Sequence, residues 1–157
     1  MRNSKVKGFT LIELIVVIAI IGVLAAILVP TMMGFVKDSK YSTANANAKL
    51  VHTNLATWAT KQETNGTPLG TTDSANSQPI GVGGTAPTPG TSTCLQALSY
   101  YMGTSTAGGA GVASWTIDAN GMPTKTAWAK TATDKVVGRY PDATTTADEG
   151  TVTLTNY

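Results

Sequence analysis

Phe9 to Val29 form one apolar run, FTLIELIVVIAIIGVLAAILV, with a single charge at Glu13. Nothing else in the chain restricts its folding as much. As a helix rising ~1.5 Å per residue, the run spans roughly 30 Å, the thickness of a bilayer's hydrocarbon core. Its Ile and Val content would suit a strand in water. In lipid, a lone segment has to satisfy its own backbone, so helix is expected. Arg2, Lys5 and Lys7 precede the run with no acid among them. The positive-inside rule keeps that end cytoplasmic and sends the remainder outside.

An ordinary secretory signal peptide shares the basic start and apolar run. Here the run is too long, Ala25 and Ala26 lead into Ile-Leu-Val-Pro, and Glu13 sits where a signal peptide carries no charge. A carboxylate deep in a membrane helix costs about 3 kcal/mol on insertion scales, so it calls for a partner. A cut between Gly8 and Phe9 would supply one, because Phe9 would gain a positive α-amine. Glu13 lies four residues on, on the same helical face and near the positive end of the helix dipole. It could meet its own amine or that of an axially shifted copy. In a bundle of identical apolar helices such a pair fixes register, as one polar core residue does in a coiled coil. The plainer alternative is a Glu that snorkels to the surface of a simple anchor.

Lys7-Gly8-Phe9-Thr10-Leu11-Ile12-Glu13 resembles the processing motif of type IV prepilins and pseudopilins. The resemblance is strong from Met1 to about Tyr41 and architectural beyond. It implies cleavage after Gly8 by a membrane-embedded prepilin peptidase, N-methylation of Phe9, and a role for Glu13 in recruiting subunits and neutralising a neighbour's N-terminus. In several pili of this family the stretch matching Gly22 to Pro30 loses helicity in the filament. By residue chemistry alone, Pro30 removes one helical hydrogen bond and Gly22 weakens the helix by about 1 kcal/mol relative to Ala, a mild kink.

Beyond Pro30 the chain turns polar without a stop. Ala44, Ala48, Val51, Leu55, Trp58 and Gln62 step by three and four, which marks one buried face of a helix. One continuous helix is expected from Phe9 to about Glu63, ended by Asn65-Gly66. Thr67 to Thr91, rich in Gly, Pro, Ser and Thr, reads as a surface loop that could be glycosylated on its hydroxyls. Ser92 is expected to cap a short helix reaching Met102, with Leu95, Leu98 and Tyr101 or Met102 inward. Ala113 to Asp118 alternates, Asn120-Gly121 signals a hairpin, and Pro123 to Lys130 returns. Val136 to Tyr140 and Thr151 to Tyr157 are further strand candidates. Trp115 and Trp128 are expected at the helix interface as core; a platform for stacking on sugars is the alternative.

The fold class expected is therefore α+β, a pilin-like roll. A long N-terminal helix, apolar then amphipathic, packs on a small antiparallel sheet. The segments are a leader over 1–8, removed; a transmembrane or filament-core half-helix over 9–29; an amphipathic half over 30–65; and a Thr/Gly-rich head over 66–157.

The formal charge of +2 gives no argument for nucleic-acid binding. Three of the eleven basic residues fall in the leader, leaving eight against nine acidic ones. Cys94 is the sole cysteine, so no intrachain disulfide can form, and it reads as a small buried hydrophobe. Many family members close the C-terminal region with a disulfide; this chain cannot. The single histidine, His52, falls on a polar helix face and reads as solvated. Asp142, Asp148 and Glu149 match no calcium-loop spacing and read as a solvated turn. With no nucleophile motif and no paired Cys/His spacing, neither enzyme, cofactor nor metal is expected.

The function implied is a structural subunit of a type IV pilus for adhesion, motility or DNA uptake. A pseudopilin of a type II secretion or competence system is the runner-up, and a non-polymerising, membrane-anchored carbohydrate-binding adhesin comes third. The partners implied are copies of the chain in a helical filament, prepilin peptidase, an assembly ATPase with its platform membrane protein, and minor pilins. The precursor would sit in the cytoplasmic membrane, leader inside and head outside, before joining an extracellular filament.

Overall fold

The structure is a computed structural model that describes residues 8–81, 83–102, 111–148 and Leu154. The chain divides into two compact units, Met1–Lys37 and Asp38–Tyr157. One helix, α1 (Leu11–Thr64), contributes to both. Within the first unit it is the whole of the described structure, and every residue from Gly8 to Lys37 is exposed.

The second unit begins with the amphipathic part of α1. Its expected stripe is buried in full: Ala44, Ala48, Val51, Leu55, Trp58 and Gln62, joined by Tyr41 and Ala59. The helix stops where the sequence says it should. Gly66 adopts φ +75, its N–H donates to the Glu63 carbonyl, and Thr67 N–H reaches the Gln62 carbonyl. That pair of bonds satisfies the last carbonyls and requires the left-handed conformation that glycine takes without strain.

Four antiparallel strands follow in spatial order β1-β2-β3-β4: β1 (Ala75–Pro79), β2 (Val112–Ile117), β3 (Pro123–Ala129) and β4 (Val137–Tyr140). A short helix, α2 (Cys94–Met102), lies between β1 and β2, and 3-10 turns occupy Thr71–Asp73 and Thr146–Asp148. Asp118 to Met122 make the β2–β3 turn, with Gly121 at φ +80.

Register assigns the faces. Ala113 pairs with Trp128, Trp115 with Thr126, and Trp128 with Gly138, so these residues share the side that packs on α1. Trp115 joins Val51, Leu55, Trp58, Ile80 and Leu98 in one apolar core. Thr126 is buried there and donates its hydroxyl to the Ala48 carbonyl at 2.8 Å. A Cβ on Gly138 would collide with the Ala44 carbonyl and the Asn45 nitrogen, so glycine lets the helix backbone lie directly on β4. The opposite face buries Ala127, Ala129 and Val137 under Leu154. There the Ser114 hydroxyl donates to the Leu154 carbonyl and accepts from Ser77 N–H.

Several expectations need correction. The segment read as a plain loop, Thr67 to Thr91, contains a 3-10 turn and β1. Its ANSQP sequence carries no strand signal; pairing with β2 holds Ala75, Gln78 and Pro79 in the ladder, and at the bulge between them Ser77 takes φ 50 and donates its N–H to the Ser114 hydroxyl. Helix α2 is capped by Thr93, not Ser92. Thr93 N–H donates to the Gln96 side chain at 2.8 Å, and Gln96 N–H returns to the Thr93 hydroxyl at 3.3 Å. Leu98 points inward as expected, with Cys94 and Ala97 beside it, while Leu95, Tyr101 and Met102 are only partly buried. The strand expected over Thr151 to Tyr157 lies outside the described residues except for Leu154.

His52 is not simply solvated. Its Nε2 lies 3.0 Å from the Pro123 carbonyl, and its ring meets Tyr140 at 4.7 Å between centroids. Asn45 of α1 clips the segment from Arg139 to Thr144 onto the helix. Its Oδ1 accepts from Arg139 N–H and Thr144 N–H, each at 3.0 Å, and its Nδ2 donates to the Thr144 carbonyl at 2.8 Å.

Candidate functional site: an exposed apolar helix with one carboxylate

The sequence-derived site residues lie in the first unit. Among the described residues, α1 is the one helix long and apolar enough to cross a membrane, and none of its apolar window is buried. Leu11, Ile12, Ile15, Val16, Ile20, Leu24 and Ile27 are each at least half exposed. A continuous apolar surface of this length does not persist in water; it needs lipid or other apolar helices around it.

Glu13 sits at the start of this surface, and its geometry shows a partner that sequence reasoning overlooked. Its Oε2 accepts from Thr10 N–H at 2.8 Å and from the Thr10 hydroxyl at 2.7 Å. Glu13 N–H faces the Thr10 hydroxyl in return, at 3.4 Å. This is a reciprocal cap, with Thr10 as N-cap and Glu13 three residues inside. The signal was present as Thr10-x-x-Glu13 before an apolar run. One carboxylate oxygen is thus committed to the chain's own helix start, while a carboxylate has room for further donors on the other. Gly8 and Phe9 lie just outside the helix, and Phe9 is 86% exposed. Residues 1–7, with Arg2, Lys5 and Lys7, lie outside the described set.

Gly22 and Pro30 fall within unbroken α-helix here. Pro30 leaves the Ala26 carbonyl without its usual helical donor, and nearby Thr31 donates its hydroxyl to the Leu28 carbonyl at 2.9 Å. A Cβ on Gly22 would meet nothing within 4 Å. No packing inside the chain therefore demands glycine at that position.

The remaining candidates have structural roles. Cys94 is buried, and desolvation, with Asp73 nearby, pushes its thiol up to about 12. Such a thiol is not a nucleophile at neutral pH. Trp115 is buried and donates its indole N–H to the Asp73 carbonyl at 2.8 Å, which removes it as a sugar platform. Trp128 is only partly buried. Asp148 accepts from Thr145 N–H and hydroxyl and lies 3.9 Å from Arg139. Asp142 is exposed, and Glu149 lies outside the described residues. Among the described residues no group of three His, Cys, Asp or Glu side chains could hold a metal.

Comparison with known proteins bears on the same segment. Residues 3–29 match the family model described as the prokaryotic N-terminal methylation motif. The chain is 51% identical over 51 residues to the type IV major pilin protein PilA of Myxococcus xanthus, covering 32% of this chain and 23% of that protein. It is 42% identical over 55 residues to the type IV major fimbrial protein FimA of Dichelobacter nodosus, 35% of each chain. It is also 39% identical over 51 residues to the type II secretion system core protein G of Pseudomonas aeruginosa, 32% of this chain and 36% of that one. Each similarity thus spans about a third or less of the relative's length. No solved structure matches the chain.

Proposed function

We propose that this chain, by its N-terminal segment, is a type IV pilin-family protein and a structural subunit of a type IV pilus. The observation that carries the reading is a coincidence in one place. The methylation-motif match covers the same helix that exposes its entire apolar surface and bears one capped carboxylate. A membrane holds that surface in the precursor, and a bundle of identical helices replaces lipid around it in the filament.

In this reading prepilin peptidase cuts after Gly8 and methylates Phe9. The new α-amine is met by Glu13 of the same chain or, across the bundle, of a neighbour. Thr10 occupies Oε2 and leaves Oε1 for that contact. Gly22 and Pro30 give the helix a weak stretch that can melt as subunits pack. The precursor is a single-pass protein of the cytoplasmic membrane, leader inside and head outside, and an assembly ATPase with its platform protein lifts it into the extracellular filament. The role is mechanical, and no step in it calls for a catalytic group or cofactor.

Mass spectrometry of the mature chain tests the processing step. An N-methylated Phe9 terminus is expected; an intact Met1, or a cut beyond Ala26, would end the reading. The similarity to the type II secretion core protein favours a second reading, a pseudopilin. Electron microscopy of sheared cells separates the two. Long filaments built mainly of this chain are expected of a pilin, and their absence beside a processed chain would favour the pseudopilin.

A further inference from the structure

Between α1 and the β3–β4 turn lies a cleft of about 450 Å³, whose lining includes Ser39, Lys40, Thr43, Trp128, Lys130 and Asp134. Its size falls within the range of small-ligand sites. We propose that this cleft binds an acidic monosaccharide unit, a sugar ring carrying a carboxylate. The proposal is independent of the filament reading.

Four observations point to that chemistry. The first is a fixed aromatic wall. Trp128 pairs with Gly138 across the sheet, and Gly111, at φ +92, packs against its indole so closely that a Cβ there would lie 2.6 Å from Cε2. Gly111 therefore seats the ring, and a half-buried indole offers an apolar surface to the C–H face of a sugar. Second, Lys40 and Lys130 are both exposed, and neither ammonium makes an ion pair or hydrogen bond among the described residues. Each is available to a carboxylate.

Third, Asp134 lines the same cleft. One of its oxygens accepts from Val136 N–H at 3.1 Å, which leaves acceptor capacity for sugar hydroxyls. A bare phosphate has no C–H face to lay on Trp128, so it gains less from this lining than a charged sugar does. Fourth, Thr43 lines the cleft and donates its hydroxyl proton to the Ser39 carbonyl at 2.9 Å, which leaves its oxygen with acceptor capacity. Donors, acceptors, an aromatic wall and a net positive charge together fit a polyhydroxylated anion better than a lipid headgroup or an apolar peptide.

The test uses the full chain in detergent micelles, with intrinsic tryptophan fluorescence as the readout. Trp58 and Trp115 are buried, so ligand in the cleft reports through Trp128. The probes are sodium glucuronate, glucose, inorganic phosphate and phosphatidylglycerol added to the micelle. A saturable response to glucuronate in the millimolar range is expected, with glucose about tenfold weaker and no response to phosphate or phosphatidylglycerol. The double variant Lys40→Gln, Lys130→Gln should bring glucuronate down to the affinity of glucose and leave glucose unchanged. That split separates loss of charge recognition from damage to the fold. No saturation by glucuronate below about 100 mM, an equal response to phosphate or phosphatidylglycerol, or undiminished glucuronate binding by the double variant would each overturn the proposal.

Discussion

The two parts of α1 obey opposite rules. From Gly8 to Lys37 nothing is buried, although nearly every residue up to Val29 is apolar. From Tyr41 to Gln62 the helix is far more polar, yet eight of its side chains are buried. A chain folding for its own sake would place its greasiest helix inside. The inversion shows that the first half is built for surroundings the chain does not supply, and the second half for the chain itself. Hydrophobicity thus says how much burial a segment needs, and periodicity says whether the chain provides it. An apolar residue on every face calls for lipid or a bundle; a stripe calls for one sheet.

That contrast can be broken by mutation, beginning where the effect is largest. Gly138→Val puts a branched side chain into the backbone of Ala44 and Asn45 and should unfold the head or lower its stability by about 3 kcal/mol or more. Thermal melting in detergent should lose its cooperative transition, while far-UV circular dichroism keeps the helical signal of residues 11–37. Paired truncations are next. Leu55→Ala empties a fully buried site and should cost about 3 kcal/mol. Leu24→Ala, in the exposed half, should leave the head's melting temperature within about 1 °C of wild type. Equal losses from the two leucines would mean that the halves are not energetically separate.

Asn45→Ala removes three hydrogen bonds at once and should cost about 2 kcal/mol, seen in urea denaturation as a lower midpoint with an unchanged slope. The smallest effect concerns acid. Thr145 N–H, then its hydroxyl and Arg139, hold the Asp148 carboxyl below the usual carboxylate range. A depressed folded value stabilises the head above the unfolded pKa of about 4 and loses that contribution as pH falls through the lower folded value. Melting temperature should therefore drop on acidification, and slightly less steeply in Asp148→Asn.

Much of this was written in periodicity. The stripe from Ala44 to Gln62, the Asn65-Gly66 stop, the Asn120-Gly121 hairpin and the flanking strands are local signals, and local signals survive in sequence. What stayed hidden depends on partners distant along the chain. β1 has no strand character of its own and borrows it from β2. His52 lies on a polar helix face by spacing, but Pro123 and Tyr140 cover it. Asn45 looks like any helix-surface asparagine until the loop from Arg139 to Thr144 arrives. In the candidate site Glu13 stood out because charge is rare in an apolar run. Thr10 gives no such contrast, because only the geometry of the helix start marks a neutral hydroxyl as the carboxylate's partner.

In the proposed pilus subunit, Glu13 lets an apolar helix exchange lipid for its own copies. The most direct test expresses wild type, Glu13→Ala and Glu13→Gln at equal levels and measures two quantities from each culture: the fraction of chain ending at Phe9 and the mass of filament sheared from cells. Processing should stay within about twofold of wild type while filament mass falls at least about tenfold in Glu13→Ala, the loss expected when a buried charge pair is broken. Filaments of normal length and yield from processed Glu13→Ala would contradict it.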